Sequence, residues 1–144
     1  MRRKLKERKG TISIMYFGMV FMLLMMTFLI IEMGSTLENY SYAESVLQRA
    51  CNSAVEKNII DAYRADHILK LDTSGAAADF RSYVRSDLPA KYQFTISRIR
   101  CTADPAYMEV IGTIQFPTVF SKYGFRTITH TIKVVSTNYA LDGR

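Results

Sequence analysis

One stretch decides what this chain can become. From Thr11 to Ile31 the sequence reads TISIMYFGMVFMLLMMTFLII, without a charge. It is about 21 residues long, and a helix needs about 20 to cross the hydrocarbon core of a bilayer. A single segment in lipid must satisfy its backbone polar groups internally, so it can only be a helix. The expectation is a protein held in a membrane, with the rest of the chain working on one side of it.

Charge sets the direction. Arg2, Arg3, Lys4, Lys6, Arg8 and Lys9, against the single acid Glu7, precede Gly10 and carry +5 of the net +6. After the stretch the next basic residue is Arg49, preceded by Glu32, Glu38 and Glu44. Basic residues stay on the cytoplasmic side, which predicts the N-terminus inside and the C-terminus outside. The remainder, with 13 basic and 12 acidic residues, is near neutral, unlike the basic face of a nucleic-acid-binding module. A cleaved secretory signal is the competing reading of the same stretch. Its apolar core is shorter and closes on small residues, whereas this one leaves through Glu32-Met33-Gly34. The organisation expected is a basic cytoplasmic leader at 1–10, a transmembrane helix at 11–33 and an extracytoplasmic domain at 34–144, in a single-pass protein of the cell membrane.

Downstream, Tyr40, Ala43, Val46, Leu47, Ala50, Ala54 and Val55 recur at helical spacing, with polar residues on the opposite face. No proline occurs before Pro89, so the span is expected to continue outward as one rod, with Gly18 and Gly34 as soft points. Asp72-Thr73-Ser74-Gly75 reads as a turn-rich linker. A short helix follows from Ala76 to Leu88, with Ser74 as its N-cap, a stripe of Phe80, Tyr83, Val84 and Leu88, and Pro89 as its stop.

After Pro89 the period changes to two. Phe94 and Ile96 share one phase, Ile99 and Cys101 the other, which predicts a bulge near Ser97-Arg98. Met108, Val110, Ile114 and Phe116 mark a second strand; Ile128, His130, Ile132 and Val134 mark a third. Short connections favour an antiparallel meander, and the amphipathic part of the rod is the available cover for its apolar face. The fold class expected is α+β: a transmembrane helix continuing into an amphipathic helix, a short second helix and a three-stranded antiparallel sheet.

This plan resembles type IV pilins and pseudopilins, and more narrowly the TadE/TadF-like pseudopilins of tight-adherence (Tad/Flp) pilus systems. It also resembles short anchored relatives of that group in Gram-positive bacteria. The positions that carry the likeness are Arg8-Lys9-Gly10 before the apolar run, Glu32-Met33-Gly34 at its outer end and the alanine-rich helix from Ala43 to Ala54. The resemblance implies cleavage by a membrane peptidase between Gly10 and Thr11, and assembly with other pilin-like subunits through the N-terminal helix. Such families carry a glutamate at the fifth mature position. Counted from Thr11 that position is Met15, which points to a minor subunit or to an unprocessed relative rather than to a polymerising pilin.

Two cysteines lie beyond the span. A Cys51–Cys101 bridge would close a loop of about 50 residues and stabilise by roughly 4 kcal/mol on the chain-entropy account. The other reading is a pair of buried free thiols. Within the span, Met15, Met19, Met22 and Met26 share one helical face, either as a seam for neighbouring helices or as apolar surface toward lipid. Glu32 is a boundary residue at the outer interface, with subunit pairing as the less favoured role.

Signals for catalysis are thin. His67 sits in a polar stretch with Asp61, Asp66 and Lys70, and His130 occupies an inward strand position. Neither has the spacing of a metal site, and no nucleophile elbow, phosphate loop or dinucleotide fingerprint occurs. The chain is expected not to be an enzyme, and to use no cofactor, nucleic acid or small-molecule substrate. The function expected is that of a membrane-anchored minor pseudopilin-like component of a pilus or secretion assembly. The alternative is an unprocessed single-pass surface protein with a partner- or ligand-binding ectodomain.

Overall fold

The computed structural model describes residues 2–60 and 70–138, with side chains from 13 onward. A single helix, α1, spans Arg2–Lys57 and runs through both Gly18 and Gly34 without interruption. The two halves of α1 live in different surroundings. From Ser13 to Ile31 every residue except Phe28 is exposed. From Ala43 onward one stripe is fully covered: Ala43, Val46, Leu47, Ala50, Cys51, Ala54 and Val55. These positions repeat at intervals of three and one, the wide apolar stripe of a helix laid on a core. Glu44, Ser45, Arg49, Asn52 and Glu56 hold the exposed face.

The second helix, α2, spans Thr73–Asp87, three residues earlier than the periodicity suggests. Asp72 is its N-cap instead of Ser74: one carboxylate oxygen accepts from the Ser74 and Gly75 amides at 3.0 and 3.2 Å. The Asp-Thr-Ser-Gly segment is therefore the start of a helix and not a linker. Its turn-forming residues are those that satisfy the free amides of a first helical turn. The Leu88 amide closes the other end on the Val84 carbonyl, and Pro89 follows.

Three strands make an antiparallel meander in the order β1-β2-β3: β1 at Gln93–Thr102, β2 at Ala106–Phe116 and β3 at Ile128–Asn138. The phase slip in β1 is a real bulge. Ile96 pairs with Gly112 and Arg98 with Ile111, leaving Ser97 as the extra residue. Gly112 makes this approach possible, since a Cβ there would lie 2.5 Å from the Phe94 ring and 2.7 Å from the Thr95 carbonyl.

The core forms where α1 crosses the sheet. Met108, Val110, Ile114 and Phe116 from the central strand, with Ile132 and Val134 from β3, face the α1 stripe, and Phe80 of α2 fills one end. Polar side-chain ties also fix the elements on one another. Gln48 reaches the Val135 carbonyl at 2.7 Å. Asn58 donates to Asp79 at 2.8 Å, beside a Lys57–Asp79 ion pair at 3.1 Å. Asn39 accepts from the Tyr92 hydroxyl at 2.8 Å. Arg49 pairs with Asp87 at 3.4 Å on the exposed side, where such a pair contributes little.

Candidate membrane and assembly interface

The apolar half of α1 is the most demanding surface of the molecule. Ile14, Met15, Tyr16, Phe17 and Ile30 are each about 70 % exposed or more, and Met19, Met22, Leu24 and Met26 are exposed by more than half. Monomeric soluble proteins rarely show contiguous apolar patches above a few hundred Å². This helix is long and apolar enough to cross a membrane. Its methionine face is not singled out: Met15, Met19, Met22 and Met26 are exposed, but so are Ile14, Phe17, Leu23 and Leu29 on the other faces. Gly10 and Thr11 both fall in the helical backbone of α1.

Phe28 is the exception, and the β2–β3 connection is the reason. Residues 117–127 leave the sheet and descend along α1. At the top of this descent, His130 of β3 meets the Tyr40 ring edge-on at 5.5 Å and stacks near Phe116. At the bottom, the Phe120 ring stacks on Phe28 with centroids 3.9 Å apart, and Phe125 meets Phe28 at 5.6 Å. Tyr40 and Phe28 are separated by about 18 Å of helix.

The connection is internally built. The Ser121 hydroxyl accepts from the Thr118 amide at 2.8 Å, and the Ser121 amide returns a bond to the Thr118 carbonyl. A short 3-10 turn at Ser121–Tyr123 ends at Gly124, whose φ of 92° lies in the left-handed region that favours glycine. On this frame Val119, Tyr123 and Phe125 remain 47, 78 and 52 % exposed. Sequence periodicity did not point to this feature. The segment has no repeat of its own, and its packing on Phe28 is a tertiary contact; the only sequence signal is the density of aromatics between Pro117 and Thr127.

Glu32 lies one turn beyond Phe28 and is half-buried; its Oε2 is covered and has no hydrogen-bond partner among the described residues. It follows the uncharged run by one residue, and one of its carboxylate oxygens is turned away from solvent.

The Cys51–Cys101 bridge is not formed; both are free thiols. Cys51 is fully buried and its Sγ donates to the Met108 carbonyl at 3.9 Å. Cys101, on the outer strand, is partnered in register with the same Met108. Both cysteines therefore neighbour Met108, Cys51 through its carbonyl and Cys101 through the strand register. Burial, with Cys101 close by, pushes the Cys51 thiol up to about 12, so the thiolate that disulfide exchange requires is strongly disfavoured.

His130 is partly buried among aromatic rings, in keeping with its strand phase. His67, Asp61 and Asp66 lie outside the described residues. Among the described residues no three His, Cys, Asp or Glu side chains converge as metal ligands would. Between α2 and β1 lies an open groove of about 360 Å³, where Arg81 and Arg85 flank Leu88, Tyr92 and Phe94.

Comparison with family models, with curated proteins and with solved structures finds no match to this chain.

Proposed function

We propose that this chain is a membrane-anchored structural subunit of the TadE-like pseudopilin kind, acting in a pilus or secretion assembly. The observation that carries this reading is the unbroken α1. Its exposed apolar half is suited to lipid and to neighbouring helices, and its other half is the spine of a small α+β domain. That division of one helix between two surroundings is the plan of pilin-like proteins. The basic leader supports an orientation with the N-terminus in the cytoplasm and the sheet domain outside. Gly10-Thr11 is the processing point, and α1 is the surface through which other subunits are met. With Met15 in place of a glutamate, the role is that of a minor component and not of the polymerising subunit.

The test is the N-terminus of the protein taken from its native membrane, by intact mass. A chain starting at Thr11 supports the pseudopilin reading. A chain starting at Met1, where the processing peptidase is active, replaces it with a permanently anchored surface protein.

The groove between α2 and β1 favours that second reading in one respect. Two arginines beside an apolar floor suit an acidic, partly apolar partner segment. Loss of partner capture on changing both Arg81 and Arg85 to Ala, in a protein that keeps Met1, would support it.

A further inference from the structure

We propose that the 117–127 connection is a second membrane contact, inserting its aromatic tip into the bilayer interface beside α1. This rests on the reading of α1 as the membrane span, and it adds a part of the ectodomain to the lipid-facing surface.

Level is the first argument. Phe28 belongs to the uncharged run that ends at Ile31, so it lies about 4.5 Å inside the outer end of that run. Phe120 is stacked directly on Phe28, and Phe125 is beside it. Any bilayer that covers the run from Thr11 to Ile31 therefore reaches the connection as well. The alternative, a membrane that stops short of Phe28, leaves Leu29, Ile30 and Ile31 in water, and these are exposed on α1.

Composition is the second. Val119, Tyr123 and Phe125 keep large apolar surfaces uncovered in the segment that meets Phe28. Aromatic side chains with one polar end are favoured at the headgroup boundary. Lys122 and Arg126 are exposed in the same segment, where long cationic side chains can reach lipid phosphates while their stems lie along apolar surface.

Backbone satisfaction is the third. Entry of a loop into an apolar interface costs less when its amides are already paired. Here the Ser121, Tyr123 and Gly124 amides bond to the Thr118, Phe120 and Ser121 carbonyls, and the Thr118 amide is taken by the Ser121 hydroxyl. Four amides of the tip are thus paired within the segment itself.

The chain contains no tryptophan, which makes the test direct. Tyr123→Trp and, separately, Phe21→Trp are made in the full chain. Each is reconstituted in phosphatidylcholine–phosphatidylglycerol vesicles carrying lipids brominated on the acyl chain near the headgroup or near the chain end. Both positions are exposed, so neither change disturbs the core. The expected result is that Tyr123→Trp loses most of its emission to the shallow bromines and little to the deep ones, and is shielded from aqueous acrylamide. Phe21→Trp is quenched by bromolipid too, which reports on the span alone. Quenching at Phe21→Trp with a water-like, acrylamide-accessible Tyr123→Trp overturns the loop contact and leaves the anchor standing. A blue-shifted Tyr123→Trp that bromolipid does not quench also overturns it, since the tip is then covered by protein, a second copy or a partner span. Loss of bromolipid quenching at both positions overturns the anchor reading and the loop contact with it.

Discussion

Gln48 of α1 donates its side-chain amide to the backbone carbonyl of Val135, 2.7 Å away on the outer strand β3. The same amide also reaches Asn52 Oδ1 at 3.0 Å, one turn along the helix, so its orientation is set from two sides. This bond fixes the sliding position of α1 across the sheet, which non-directional apolar contacts specify only loosely. Replacing Gln48 with Ala is expected to lower stability by about 1 kcal/mol, the usual net worth of such a bond. Chemical denaturation of the full chain in detergent, followed by the far-ultraviolet signal of the sheet, measures it.

Two glycines are expected to respond to the same substitution with opposite signs. Gly112→Ala drives a Cβ into the Phe94 ring and the Thr95 carbonyl, and the carbonyl belongs to a paired strand that cannot swing away. Overpacking of this kind costs about 1–3 kcal/mol. Gly34→Ala meets nothing within 4 Å on the helix surface and removes a flexible point. It is expected to stabilise by about 0.5–1 kcal/mol through helix propensity. Paired thermal melts decide both. A stable Gly112→Ala protein would contradict the close β1–β2 approach at the bulge.

The bulge itself was readable before any coordinates, because a strand cannot exchange its inward phase between Ile96 and Ile99 without an extra residue. The inward faces of β2 and β3, and the α1 stripe that covers them, were readable for the same reason: burial follows period. Asp72 in place of Ser74 was not, since both are good caps and sequence alone cannot decide which side chain reaches the free amides. The meeting of Phe120 with Phe28 was out of reach for a different reason. It depends on how far the β2–β3 connection extends down the helix, a distance that no periodicity encodes. The cysteines show the same limit, because composition supplies a pair while only the fold decides how the two thiols are placed.

Because both thiols are free, the melting temperature is expected not to change on adding a reducing agent. A clear drop would mean that a bridge forms in solution. In the folded protein, alkylation followed by mass mapping should label the half-buried Cys101 well before Cys51. Cys51, at about 12, lies above the ordinary thiol value. A raised acid favours the protonated form in the fold, so this contribution is fully present below the ordinary thiol value. It is lost as pH rises from there toward about 12. Cys51→Ala is expected to flatten the alkaline fall in stability over that window.

The acid side is governed by carboxylates. Hydrogen bonds from Lys133 and then Tyr107 hold Glu109 below the usual glutamate range. Asn58 and then Lys57 do the same for Asp79, and Ser74 and Gly75 for Asp72. Depressed carboxyls stabilise the fold above their unfolded values, and that stability is lost as pH falls through the folded ones. The domain is therefore expected to weaken progressively below about pH 4. Asp79→Asn should be less stable at neutral pH and show a shallower acid transition, read by titration of the circular dichroism signal. An unchanged transition would mean that the α1–α2 tie through Asp79 is open in solution.

An unbroken α1 also makes the molecule a lever. About 39 Å of helix separates Ile31 from Lys57. Spans in bilayers commonly tilt by about 20°, and at that arm length such a tilt carries the far end of the helix sideways by about 13 Å. The sheet must follow, because it is pinned along the arm at Gln48 and propped near the pivot by the stacking of Phe120 on Phe28. Movements too small to matter at the fulcrum are therefore magnified at the tip, and a neighbour gripping the apolar half of the helix would steer the distant sheet mechanically, with no change of fold.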